Sequence, residues 1–112
     1  MSTPNADSFA RAQELLKKLW EQHKASIFER LDGLAQYSAT ALQLKPDERT
    51  EARSLAHKLA GSLGTFGFRE GSDWARDSEM ILAKDSIDAA EQAQLIENAE
   101  NIRKLIGAPA KD

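Results

Sequence analysis

Two histidines, His23 and His57, and no cysteine make up this chain's supply of side chains that attack readily near neutral pH. His57 is followed four and seven residues on by Gly61 and Gly64. Placed on a helix whose apolar stripe is centred on Ala52 and Leu59, His57 points roughly 140° away from the core, Gly61 about 180° and Gly64 about 120°. One outward face therefore holds an imidazole and two glycines. Glycine inside a helix is unfavourable by ~1 kcal/mol relative to alanine, and on a solvent face no packing gain offsets that. A partner whose backbone must come close to the imidazole supplies a reason, because a missing side chain clears the approach. The chemistry fits as well: a largely neutral imidazole presents a ring nitrogen able to attack phosphorus in line. The competing reading is a plain surface histidine beside glycines that serve close helix packing. That reading suits Gly64 and Gly71 better than Gly61. His23, near a helix junction and without glycine neighbours, reads as a structural or surface residue.

The elements that must position His57 are helical throughout. Prolines stand only at 4, 46 and 109, and between them apolar residues recur at spacings of three and four. Phe9, Ala12, Leu16, Leu19 and Trp20 form one stripe, and Ile27, Leu31, Leu34, Ala35, Ser38 and Leu42 form a second. Pro46 suits the first turn of a third helix, with Asp47 and Glu48 at the positive end of its dipole. That helix carries Ala52, Leu55, Ala56, Leu59, Leu63 and Phe66 and is expected to end at Gly67. Phe68, Ser72, Ala75, Glu79 and Leu82 predict a fourth helix. A fifth, capped by Ser86 or Asp85, presents Ile96, Ala99, Ile102 and Ile106 and stops at Gly107 and Pro109. Short loops and single apolar stripes predict an all-α, antiparallel four-helix bundle, with the additional N-terminal helix across one end.

The run from Ala56 to Gly67, reading AHKLAGSLGTFG, resembles the signature helix of histidine-containing phosphotransfer (HPt) domains. That signature has an apolar residue two past the histidine, commonly a lysine three past, a glycine four past, a small residue five past and a glycine ten past. His57, Leu59, Gly61, Ser62 and Gly67 match it, and Ala75 and Glu79, followed by Leu82, look like the family's next helix. The resemblance implies an HPt-like bundle over 8–107, a flexible N-terminus over 1–7 and a flexible tail or linker over 108–112. It implies that His57 exchanges a phosphoryl group with a receiver-domain aspartate of a response regulator, or accepts one from a histidine kinase. The lysine usual three past the histidine is Ala60 here. Arg53, one turn before His57, is the better-placed cation to steady the phosphoryl oxygens, whereas Lys58 points to the opposite flank. Gly61, Gly64, Ser54 and Lys58 are expected to border the partner's approach. The run is also similar to HPt domains fused to receiver and output domains in multidomain response regulators.

Composition narrows the alternatives. A chain of 112 residues with 29% charged and 41% hydrophobic residues fits one soluble domain with one site. A net charge of −3 with scattered acids lacks the basic surface that nucleic acid requires. No apolar run encodes a signal or a membrane span, and the absence of cysteine agrees with a reducing compartment, so the cytoplasm is expected. Gly61-Ser62-Leu63-Gly64 matches the glycine loop of KH modules only formally, since that loop needs strands and basic character. Pairs such as Asp47 with Glu48 and Asp77 with Glu79 read as solvated charge, and two distant histidines make a poor metal site. Trp20 and Trp74 read as core or interface residues. No nucleotide loop or kinase domain is encoded, so no cofactor is expected and magnesium is expected only in the receiver partner. A second function class stays open: a helical docking or oligomerisation module of a signalling protein that does not transfer phosphate.

Overall fold

The computed structural model describes residues 6–110. Among them are four α-helices and one short 3-10 turn, with no strand: α1 (Ala6–Ala39), the turn Ala41–Gln43, α2 (Pro46–Thr65), α3 (Arg69–Leu82) and α4 (Ala89–Ile106). Each helix packs on its chain neighbour and α4 closes the ring against α1, giving an antiparallel four-helix bundle. Ile27, Leu31 and Leu34 of α1, Leu59 and Leu63 of α2, Leu82 of α3, and Leu95 and Ile102 of α4 are fully buried along its axis. Each such side chain contributes about 1.5–3 kcal/mol through burial, so the core needs nothing from the outward face of α2.

Among the described residues there is no separate N-terminal helix across one end, as the sequence reading expected. The first two stripes lie on one helix of 34 residues. Between Trp20 and Ile27 the residues are Glu21, Gln22, His23, Lys24, Ala25 and Ser26, none of which breaks a helix, and the i, i+3 ion pair of Glu21 with Lys24 spans the join at 2.6 Å. At ~1.5 Å per residue α1 is about 51 Å long against about 30 Å for α2, so its first half runs past the bundle. Phe9 and Leu16 are accordingly 66% and 40% exposed, not buried. Two further positions differ from the sequence reading. Leu42 is exposed while Ala41 is buried, because the chain tightens into the 3-10 turn there; in α4, Leu95 takes the core position and Ile96 lies at the surface.

The helix ends explain where α2 and α4 begin and stop. Pro46 opens α2, and the Lys45 N–H donates to the Glu48 carboxylate at 2.8 Å. Gly67 adopts φ +83° and lets the Phe68 N–H reach back to the Leu63 carbonyl at 2.8 Å, a Schellman closure that turns the chain straight into α3. The cap of α4 is Asp88, not Ser86 or Asp85: its carboxylate accepts from the Glu91 N–H at 2.7 Å while Glu91 accepts from the Asp88 N–H at 3.0 Å. Only Asp88 has a glutamate three residues on, which is what makes the reciprocal box. Gly107, at φ +69°, ends α4 as expected. The expected flexible segment over 1–7 and the last residues of the tail lie largely outside the described residues.

Candidate functional site

The interface between α2 and α3 is built from small residues. Ala52, Ala56 and Ala60 of α2 are buried against a side of α3 where Gly71, Ser72 and Ala75 are buried too. Ser72 Oγ donates to the Ala60 carbonyl at 2.8 Å, and a Cβ placed on Gly64 would lie 3.5 Å from the same hydroxyl. At Gly71 the fit is tighter, since an added Cβ would meet Leu63 Cδ1 at 3.1 Å and Leu105 Cδ2 at 3.2 Å. With little side-chain volume between them the two helices approach closely, and residues along the rim of their groove can touch.

His57 and Glu79 do touch. The His57 side chain is 74% exposed, and its Nδ1 lies 3.0 Å from Glu79 Oε2, which is 32% exposed. A carboxylate offers acceptors only, so in the neutral ring the proton sits on Nδ1 and the free lone pair on Nε2. The arrangement fixes both the tautomer and the ring's orientation, and it leaves a nucleophilic nitrogen in the open. The sequence reading set Glu79 aside with the solvated acids. The available signal was its register: an acid at the third place of the run Ser72, Ala75, Glu79 and Leu82, where a fully buried helix face would carry an apolar residue.

Around the imidazole the surface is clear. A Cβ on Gly61 would meet nothing within 4 Å. Gly64 is exposed on its outer side, so it both faces solvent and packs on Ser72. Arg53, Ser54 and Lys58 are exposed and make no hydrogen bond or ion pair among the described residues. Ala60 is only 3% exposed, turned into the α2–α3 groove. His23 is elsewhere. It stands beside Phe66, with ring centroids 6.2 Å apart, in a groove of about 340 Å³ between α1 and α2 that excludes His57. That groove occupies the other flank of α2, where Arg30 donates to Ser62 Oγ at 3.0 Å. Trp20 packs edge-on against Phe28 and Phe66 and tilted on Phe68, an aromatic cluster tying α1 to the α2–α3 corner. Among the described residues no group of three or more histidines and acids could hold a metal ion, and no helix is long and apolar enough to cross a membrane.

A four-helix bundle that holds an oriented, exposed imidazole on the outer face of its second helix defines a class of helical modules that present a histidine ring nitrogen to a partner. Comparison with known proteins gives the particular family: residues 8–107 match the Hpt domain, and the chain belongs to that family. Hpt domains serve histidine phosphotransfer in two-component phosphorelays and interact there with receiver domains and kinases. Protein RcaC of Microchaete diplosiphon is 33% identical over 79 residues, covering 69% of this chain. The matched segment is only 12% of that protein's length, so the chain is similar to a small part of a much longer one. No solved structure matches it significantly.

Proposed function

We propose that His57 is the phosphoryl-accepting residue and that the chain carries a phosphoryl group on its Nε2 to or from a receiver-domain aspartate. The supporting observation is the 3.0 Å contact of His57 Nδ1 with Glu79 on a ring that is otherwise open to solvent. In the forward step the Nε2 lone pair attacks the phosphorus of an aspartyl phosphate in line, the N–P bond forms, and the bond from phosphorus to the aspartate oxygen breaks with its electron pair to free the carboxylate. The ring keeps its Nδ1 proton and becomes a phospho-imidazolium whose positive charge faces the Glu79 carboxylate. Reversal of the same steps returns the group to an aspartate, so one geometry serves both directions.

The remaining residues are assigned by position. Gly61 and Gly64 keep the approach clear, Ser54 and Lys58 border it, and Arg53, one turn before His57, reaches the phosphoryl oxygens from its own helix. The magnesium that such a transfer uses belongs to the receiver's site, and the cytoplasm is the compartment we assign. The test is incubation with phosphorylated receiver domains from the same organism, followed by a search for acid-labile, base-stable label on this chain. Wild type should take up label and His57→Gln should take up none while keeping its helicity and melting temperature, because an exposed side chain contributes little to the core. Label that persists at wild-type rate in His57→Gln places the nucleophile elsewhere. A wild type that docks receivers but never labels would instead make the chain a docking module.

A further inference from the structure

The register of α2 on α3 can be read from two contacts. His57 meets Glu79, and seven residues on, Gly64 sits over Ser72, seven residues back along α3. The helices are antiparallel and step together, so three residues past His57 the position opposite Ala60 is Arg76. The Ser72 hydroxyl bonding the Ala60 carbonyl agrees, since a helix carbonyl leans toward the next turn, at the level of Gly64. Arg76 therefore stands only about 4.5 Å along the axis from His57, across a groove whose helix axes are about 8–10 Å apart.

Its placement around α3 is equally specific. Arg76 is four residues from Ser72 and three from Glu79, both of which face α2, and it lies on the solvent side of that row. The Ala60 methyl is buried and Gly61 has no side chain, so neither fills the space in front of it, and a Cβ at Gly61 would touch nothing. Arg76 is exposed and makes no ion pair or hydrogen bond among the described residues, while the neighbouring Glu79 is engaged with His57. An exposed, unengaged arginine thus stands on the rim of the groove beside His57.

We infer that Arg76 is a phosphoryl-binding residue of this site, supplied from α3, whose guanidinium takes the equatorial oxygens of the group carried on His57. The inference rests on His57 being the carrier. A guanidinium presents a planar fork of N–H donors that suits two phosphoryl oxygens at once, and its charge offsets the dianion both on the phosphohistidine and in the transition state. Arg53 reaches the same group from the other side along α2, so the two cations bracket it. Nothing in the covalent step changes: Arg76 neither gains nor loses a proton.

The test uses a small donor so that receiver docking is left out. With phosphoramidate the Nε2 lone pair attacks phosphorus, the P–N bond of the donor breaks, and ammonia leaves. Labelling rate and phosphohistidine lifetime would be measured for wild type, Arg76→Ala, Arg76→Lys and Arg53→Ala, with melting temperatures alongside. Arg76→Ala should label roughly tenfold more slowly than wild type, with an unchanged melting temperature, and Arg76→Lys should recover part of that loss. The same ranking should hold with a phosphorylated receiver. If Arg76→Ala labels from phosphoramidate at the wild-type rate, the inference is overturned even where receiver transfer falls, because Arg76 would then contact only the receiver. A wild type that labels on His57 while all the arginine variants match it overturns this inference and leaves the carrier role standing. A wild type that takes no label on His57 from either donor overturns both.

Discussion

Gly61, Gly64 and Gly71 form a natural series for separating the stability of this bundle from its chemistry, because an added methyl group meets a different environment at each. At Gly61 it would meet nothing within 4 Å, so Gly61→Ala should gain helix propensity and lose unfolded-state entropy without penalty, stabilising by up to ~1 kcal/mol. For a domain of this size that raises the melting temperature by roughly 3–6 °C. At Gly64 the new methyl would sit 3.5 Å from Ser72 Oγ, an ordinary contact, and a smaller gain is expected. At Gly71 it would press on Leu63 and Leu105 at 3.1 and 3.2 Å, so the leucine ends must shift and the gain should vanish or reverse. The expected order of melting temperatures is Gly61→Ala, then Gly64→Ala, then Gly71→Ala. Transfer should follow another order. Gly61→Ala should transfer nearly as wild type, whereas Gly61→Gln, uncharged but long, should be at least as stable as wild type yet slow receiver transfer by about tenfold or more through a misplaced approach. Gly61→Arg should do the same against a receiver, although its charge makes glutamine the cleaner probe. Calorimetry and receiver transfer on the same preparations decide it. Normal transfer by the bulky variants would refute the close-approach account, and their unfolding would show that Gly61 packs against something.

Glu79→Ala should slow labelling of His57 more than Glu79→Gln, because the glutamine oxygen can still accept the Nδ1 proton and hold the tautomer; equal rates in both variants and wild type would show that the contact does not orient the ring. Asn98, 1% exposed, donates to Asp77 at 2.9 Å and to Ser78 at 3.1 Å and accepts from Gln94 at 2.9 Å. Asn98→Ala leaves the buried Ser78 hydroxyl without that partner and should cost about 1–3 kcal/mol in urea denaturation, with a loss near zero counting against a satisfied buried network. Tyr37, the sole tyrosine, donates to Glu51, and that bond pushes its phenol up to about 12. A folded-state value above the ordinary 10.0 means the bond's contribution is complete below about 10 and is lost as the pH rises through 12. Absorbance titration of the phenolate should therefore give a midpoint well above 10 that falls back in Glu51→Gln; a wild-type midpoint at the ordinary value would show that the bond does not persist in solution.

The sequence made the fold class legible because nearly every element announces itself at its ends. Pro46 and Gly67 bracket α2, Gly107 closes α4, and the interior stripes of α2 to α4 have the helical period. It failed at α1 for a complementary reason. A run of polar residues from Glu21 to Lys24 looks like a junction, but helices end at breakers and caps, and none stands there. Leu95 and Ile96 illustrate a finer limit: adjacent apolar residues give two possible phases for one helix face, and the choice depends on which side α1 and α3 approach. Asp88 was readable in principle from the glutamate three residues on.

The candidate site divides in the same way, and the division follows from how the groove is made. His57 and Gly61 could be placed outward from α2 alone, since a helix projection needs only one helix. Glu79 and Arg76 belong to the site through the register between two helices, and that register is set by Ala56, Ala60, Gly64, Ser72 and Ala75, residues whose contribution is their small size. The same close approach that gives α2 and α3 their packing delivers a carboxylate to Nδ1. Enlarging that seam, for instance with Ala60→Leu, would have to push the helices apart. A shift of a fraction of a helix radius would take Glu79 out of hydrogen-bond range before it unfolded a core held by leucines on the bundle's inner face. Tight packing at this seam therefore acts on the chemistry first and on stability second.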